Sequence, residues 1–212
     1  PDKYCFCGSM GTATPADGFD LFLTVVEGGY LAETGTEAGA AMLDGLPSQE
    51  ASAAALAQAK ERLARRIQQT TRVSAECHSL PLLLSGLADS KQWGEHATKC
   101  YSCGTCNLVC PTCFCFSVID RMALTLDRGT KDREWDGCML EEFSKVATGE
   151  NFREEREDRL RHRFYRKYSY LFTKYGRPYC CGCGRCVRQC LVHIDPVEVL
   201  NDLIAEAEGR RS

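Results

Sequence analysis

The sequence predicts an α+β fold, with a core of metal-binding cysteine loops packed on a smaller N-terminal α/β portion. Three observations predict it. Eight of the 15 cysteines fall into two runs of identical spacing, C-x2-C-x2-C-x3-C. The stretch 19–33 reads as two short strands about a Gly28–Gly29 turn. The stretch 48–73, and much of the interval between the two cysteine runs, carries apolar residues at helical spacing.

The runs are Cys100, Cys103, Cys106, Cys110 and Cys180, Cys183, Cys186, Cys190. This is the run by which bacterial-type ferredoxins hold a 4Fe-4S cluster. Two-residue gaps let three sulfurs wrap one corner of a cubane, and the fourth thiolate has to arrive from elsewhere. In two-cluster ferredoxins the last cysteine of each run crosses to the other cluster. One cluster is therefore expected on Cys100, Cys103, Cys106 and Cys190, and a second on Cys110, Cys180, Cys183 and Cys186. Gly104, Gly182 and Gly184 suit a backbone that turns closely around sulfide. Pro111 follows the first run, whereas Leu191 follows the second. Zinc sites also use paired C-x2-C elements, but zinc gives no reason for two complete runs with a three-residue final gap. Disulfides fit poorly: the cysteine count is odd, no secretory signal precedes the runs, and 212 residues can build a core without staples.

Element by element, 1–15 reads as loop around the Cys5-Phe6-Cys7 pair. Ser48 is the expected cap of the 48–73 helix, with Leu56, Leu63 and Ile67 on one face. A second helical stretch is expected at 87–98. Between the runs, Phe116, Ile119 and Ala123 share helical spacing, as do Leu140, Phe143 and Ala147. A closing helix is expected at 195–207, with Pro196 in its first turn. The expected division is 1–47 as the C-terminal part of an α/β domain, 48–98 as a helical connector, and 99–212 as a two-cluster ferredoxin-like domain with a long helical insertion, 117–178. The chain begins at Pro1 rather than Met, which suggests a longer N-terminal portion.

A net charge of −3 and a pI near 5.9 argue against a general nucleic-acid binder. The longest apolar run, Leu80–Leu84, is too short to span a bilayer. The segment 151–178 holds nine Lys or Arg against four Asp or Glu, interleaved with Phe and Tyr. That composition admits a nucleic-acid surface, but an amphipathic helix with an aromatic face inward and a solvated charged face is the better reading. Arg185 and Arg188, beside the second run, offset cluster charge. Of the remaining cysteines, Cys77 and Cys181 read as small buried hydrophobes. Cys5 and Cys7 can supply two ligands of a further cluster, while Cys113, Cys115 and Cys138 either join a site or pack beneath the loops. His78, His96, His162 and His193 form no constellation. No nucleotide-binding fingerprint or nucleophile elbow is present, so no catalytic residue is expected.

With these features in view, the chain resembles the iron–sulfur beta subunit of cytoplasmic NAD(P)-linked NiFe hydrogenases (sulfhydrogenases), a family shared with the corresponding iron–sulfur subunit of anaerobic sulfite reductase. The resemblance lies in PDKYCFC (1–7), DGFDLFL (17–23), KCYSCGTCNLVCPTCFCF (99–116), EWDGCM (134–139), ATGENFR (147–153) and YCCGCGRCVRQC (179–190). It implies a cytoplasmic electron-transfer subunit. Such a subunit relays single electrons between a flavin-binding, NAD(P)H-linked subunit and a catalytic hydrogenase subunit. A small iron–sulfur subunit and a NiFe subunit, or a sulfite reductase subunit, are the implied partners. The implied cofactors are two 4Fe-4S clusters, with a third on Cys5 and Cys7 whose other ligands lie outside this segment.

Overall fold

The computed structural model describes residues 2–209. The first hairpin forms as the pattern predicts: β1 (Leu21–Val26) pairs antiparallel with β2 (Gly29–Thr34), Val26 opposite Gly29. Gly28 takes φ +79°, which a side chain would strain. Helix α1 (Glu37–Leu43) follows, its first turn closed by the Thr36 hydroxyl accepting from the Gly39 N–H.

Helix α2 spans Ala53–Thr70 and is capped by Ser52, not Ser48, because it is the Ser52 hydroxyl that accepts from the Ala55 N–H. Leu56 and Ile67 stay half exposed, and Leu63 packs with Cys5, Cys7 and Ala13. The expected apolar face of this helix is therefore only partly covered.

The main core is helical. Helices α3 (Leu80–Ser85), α4 (Gln92–Ala97) and α9 (Pro196–Gly209) pack with a rod formed by α6 (Arg156–Tyr165), a π-helical turn (Arg166–Tyr170) and α7 (Leu171–Tyr175). Trp93, Phe164, Tyr168, Leu200 and Leu203 fill its centre with Phe6 and Met10 from the N-terminal segment. Trp93 satisfies its buried indole N–H on the Leu87 carbonyl at 2.7 Å.

Two short helices, α5 (Thr105–Leu108) and α8 (Arg185–Arg188), sit inside the two cysteine runs and pack against each other. Between the runs the helical expectation fails in its first half. Phe116–Met122 (β3) and Gly129–Trp135 (β4) form an antiparallel hairpin, Phe116 opposite Trp135. Phe116, Val118, Met122 and Trp135 are exposed, so a one-face apolar spacing here reflects no buried helical stripe. Pairing with β4 and the β-branched Val118 and Ile119 outweighed the three-residue spacing. Leu140, Phe143 and Ala147 likewise bracket only a single 3-10 turn, Glu141–Ser144. The expected helix appears from Arg156 onward. Among the described residues, no helix is long and apolar enough to cross a membrane.

Candidate metal centre

The two cysteine loops are copies of one fold, 80 residues apart. In the first, the Ser102 N–H points at Cys100 Sγ (3.3 Å); in the second, the Gly182 N–H points at Cys180 Sγ (3.4 Å). Gly104 and Gly184 take φ +73° and +69° to open the two short helices. The Cys110 N–H then bonds the Asn107 carbonyl, and the Cys190 N–H the Val187 carbonyl. Backbone N–H groups aimed at sulfur stabilise thiolate charge.

Packing α5 on α8 creates two adjoining cavities. One, about 580 Å³ including space open to solvent, is lined by Cys100, Cys103, Cys106, Cys186 and Cys190. The other, about 350 Å³ including space open to solvent, is lined by Cys110, Cys180, Cys183 and Cys186 and also by Cys181, which was expected as a buried hydrophobe but is only half buried. The last cysteine of each run thus lines the cavity that holds the first three of the other. Cys186 and Arg163 line both cavities, so the two share a wall. All fifteen cysteines are free thiols. The donor set is soft and anionic, with neither carboxylate nor imidazole among the lining, which fits iron–sulfur ligation.

Burial pushes the Cys106 and Cys180 thiols up to about 11. Cys110 is held at about 3, chiefly by a hydrogen bond from the Cys113 thiol; burial opposes this and the Lys167 charge assists it. Cys183 is held at about 6 by a hydrogen bond from the Cys181 thiol, again against burial. The wall of the second cavity thus carries donors that favour the ionised sulfur a metal requires.

The rod supplies groups that the sequence reading left in solvent. Arg159, Arg163 and Lys167 are all buried. Arg159 donates to Ser102 Oγ (3.3 Å), Arg163 to the Cys106 carbonyl (3.1 Å) and Lys167 to Cys110 Sγ (3.2 Å). The four-residue spacing of these cations was the available signal, because it places them on one helix face. The π turn widens the helix so that consecutive residues reach the second cavity: Lys167 contacts Cys110, and the Tyr168 hydroxyl points at Cys180 Sγ over 3.5 Å. Arg185 also lines this cavity, while Arg188 pairs with Asp2.

Cys5 and Cys7 lie outside both cavities. They are buried, and Cys7 Sγ contacts Thr70 Oγ1 at 3.5 Å. Their segment clamps the second loop: the Phe6 N–H bonds the Gly182 carbonyl at 2.7 Å, and Phe6 itself lines the second cavity. Cys113, Cys115 and Cys138, scattered in sequence, line one further cavity.

Two repeated four-cysteine loops around two adjoining cavities define an iron–sulfur protein of the electron-transfer class, and residues 99–194 match the family model of the 4Fe-4S dicluster domain. Beyond that domain, the chain is similar to the beta subunit of a sulfhydrogenase. It is 36% identical over 210 residues to sulfhydrogenase 2 subunit beta of Pyrococcus furiosus, a match covering 96% of this chain and 60% of that relative. It thus spans about 60% of the length of the curated relative it matches. No solved structure matches it.

Proposed function

We propose that the chain relays single electrons through two 4Fe-4S clusters, between a flavin-binding, NAD(P)H-linked subunit and a catalytic NiFe hydrogenase subunit. The observation that carries this reading is the shared wall of the two cavities. Centres separated by one cysteine and one arginine are close neighbours, and electron transfer weakens steeply with separation.

Cys100, Cys103, Cys106 and Cys190 would hold one cluster, and Cys110, Cys180, Cys183 and Cys186 the other. When bound, such clusters supply one-electron chemistry at potentials set by burial, charge and N–H···S bonds. The chain's own residues provide those settings. Backbone N–H groups of Ser102 and Gly182 donate to sulfur, Lys167 and Arg163 place positive charge beside the cavities, and the core keeps water from their inner walls. Six exposed apolar residues on β3–β4 and its turn (Phe116, Val118, Met122, Leu124, Leu126 and Trp135) suit a subunit that sits against others.

Iron and acid-labile sulfide analysis under anaerobic conditions, with EPR after dithionite reduction, tests the reading. Paired substitutions resolve the ligand sets. Cys103→Ala with Cys190→Ala is expected to remove one cluster, about four irons, because both residues serve the same one. Cys103→Ala with Cys110→Ala is expected to remove both. Equal loss from the two pairs would overturn the crossed assignment, and zinc without labile sulfide would overturn the relay.

A further inference from the structure

We propose a third iron–sulfur site inside this chain, held by Cys113, Cys115 and Cys138. None of the three belongs to the two ferredoxin runs. The fold gathers them in three steps. Cys113 lies in the turn that closes the first loop, its N–H on the Cys110 carbonyl at 3.2 Å. Cys115 immediately precedes β3. The β3–β4 hairpin then folds back so that the Asp136 N–H meets the Cys115 carbonyl, and Cys138 follows two residues later. The three cysteines line a cavity of about 300 Å³, close to the 350 Å³ of the second ferredoxin cavity.

Four features mark this cavity as a built site rather than a packing gap. Asn107, itself buried, donates its side-chain N–H groups to Cys113 Sγ (3.6 Å) and Cys138 Sγ (3.5 Å). Its carbonyl oxygen is fixed by the Met139 N–H at 3.2 Å, so the amide is locked with its donors toward sulfur. Arg163, only 5% exposed, borders this cavity as it does the two ferredoxin cavities, and its buried Nε has no hydrogen-bond partner. An unpartnered buried donor costs free energy unless something in its cavity accepts from it. Arg166 and Lys167 complete a cationic wall facing three thiols, which is the charge balance that an anionic thiolate-bound cluster requires.

The chemical class follows from the donors. Sulfur ligands without imidazole or carboxylate select iron–sulfur clusters or zinc, and the cavity is sized like one of the ferredoxin cavities. The group proposed is a 4Fe-4S cluster on three protein thiolates, its fourth iron free for a non-protein ligand. A ligated Cys113 no longer donates to Cys110, which keeps Lys167 and Thr112 as partners. Arg163 lines all three cavities, so the third site would adjoin the relay.

The test uses the full chain purified anaerobically with its partner subunits, comparing wild type with Cys115→Ser/Cys138→Ser. The expected result is loss of about four irons and four sulfides, with the EPR signals of both ferredoxin clusters retained. Unchanged iron with those signals intact overturns the third site and leaves the relay standing. Loss of a single zinc ion also overturns it. Should the double variant fail to accumulate, Asn107→Ala keeps all three thiols. There an additional EPR signal is expected to move to lower potential, and a wild type with no such additional signal sinks the proposal.

Discussion

Lys167 Nζ donates to Cys110 Sγ over 3.2 Å, and this contact is one step of a regular ladder. Arg159 meets Ser102, Arg163 meets Cys106 and Lys167 meets Cys110, each pair separated by the same 57 residues. The rod and the first cysteine run therefore advance together, four residues at a time. Every turn of the rod delivers one buried cation to the loop. A buried cation is costly unless an anion or several acceptors face it. The cysteine loop supplies these as a hydroxyl, a carbonyl and a sulfur.

The ladder predicts a redox effect. Lys167→Met removes a charge and a donor from the second cavity without touching a cysteine. Adding an electron makes a cluster more negative, so loss of the cation disfavours the reduced state and lowers the potential. The expected fall is on the order of 60 mV, equivalent to a tenfold change for a one-electron couple. EPR-monitored redox titration reads it, and Lys167→Arg should restore most of the loss. An unmoved potential in Lys167→Met would show that this amine does not face a cluster.

Much of the centre was legible because cluster ligation leaves a rigid spacing. The positive-φ glycines at 104, 182 and 184 were legible for the same reason, since a tight loop demands them. The N-terminal hairpin was legible from its turn. Two things were not. Phe116, Ile119 and Ala123 have helical spacing by coincidence, and the exposed faces of β3 and β4 leave no apolar alternation strong enough to contradict it. The inward cations were missed because Arg and Lys are usually solvated. Only a partner distant in sequence, the cysteine loop, justifies their burial. Asn107 was missed likewise, since nothing local shows that a polar residue in α5 faces sulfur.

Two glycines of the cysteine loops, Gly182 and Gly104, should differ in tolerance. A Cβ on Gly182 would lie 2.6 Å from the Cys7 Cα and N, which are backbone atoms that cannot step aside. On Gly104 it would meet mainly the Leu140 side chain, whose Cδ2 lies at 2.8 Å. Both positions carry the left-handed penalty of about 1–2 kcal/mol, but only Gly182→Ala adds a backbone overlap, for a total above about 3 kcal/mol. Gly182→Ala should lose the second cluster and speed amide exchange at Phe6, whose N–H bonds the Gly182 carbonyl. Gly104→Ala should keep its iron. Equal iron content in the two variants would show that the overlap with Cys7 does not govern loading.

Ser102 is the non-glycine counterpart of Gly182, at φ +51°. Its strain is set against the two bonds its hydroxyl accepts from Arg159, at 3.3 Å each. Ser102→Gly gives up that acceptor but relieves about 1–2 kcal/mol of backbone strain. Its unfolding midpoint should therefore stay near wild type. Arg159→Met strips partners from Ser102 and from the Arg153 and Glu154 carbonyls together, and should cost about 2–4 kcal/mol. Guanidinium unfolding followed by tyrosine fluorescence separates the two; a Ser102→Gly variant as damaged as Arg159→Met would show that the hydroxyl, not the carbonyls, holds the arginine.

His162 gives a pH dependence independent of any metal. It lies in a polar cleft with Arg153, Asp158, Arg161, Tyr165 and Tyr170, with Asp89 on the facing segment. Burial, with repulsion from Arg153 and Arg166, holds its pKa down at about 4 against an ordinary 6.5. The folded chain thus keeps this imidazole neutral in a range where the unfolded chain protonates it. Between pH 6.5 and 4 the unfolded state binds the extra proton, so stability falls as pH falls through that window. The loss should reach on the order of 2 kcal/mol after solvent screening. His162→Gln cannot take up the proton, so its unfolding free energy should decline less between about pH 7 and about pH 5 than that of wild type. Parallel curves for the two proteins would assign the acid sensitivity to other groups.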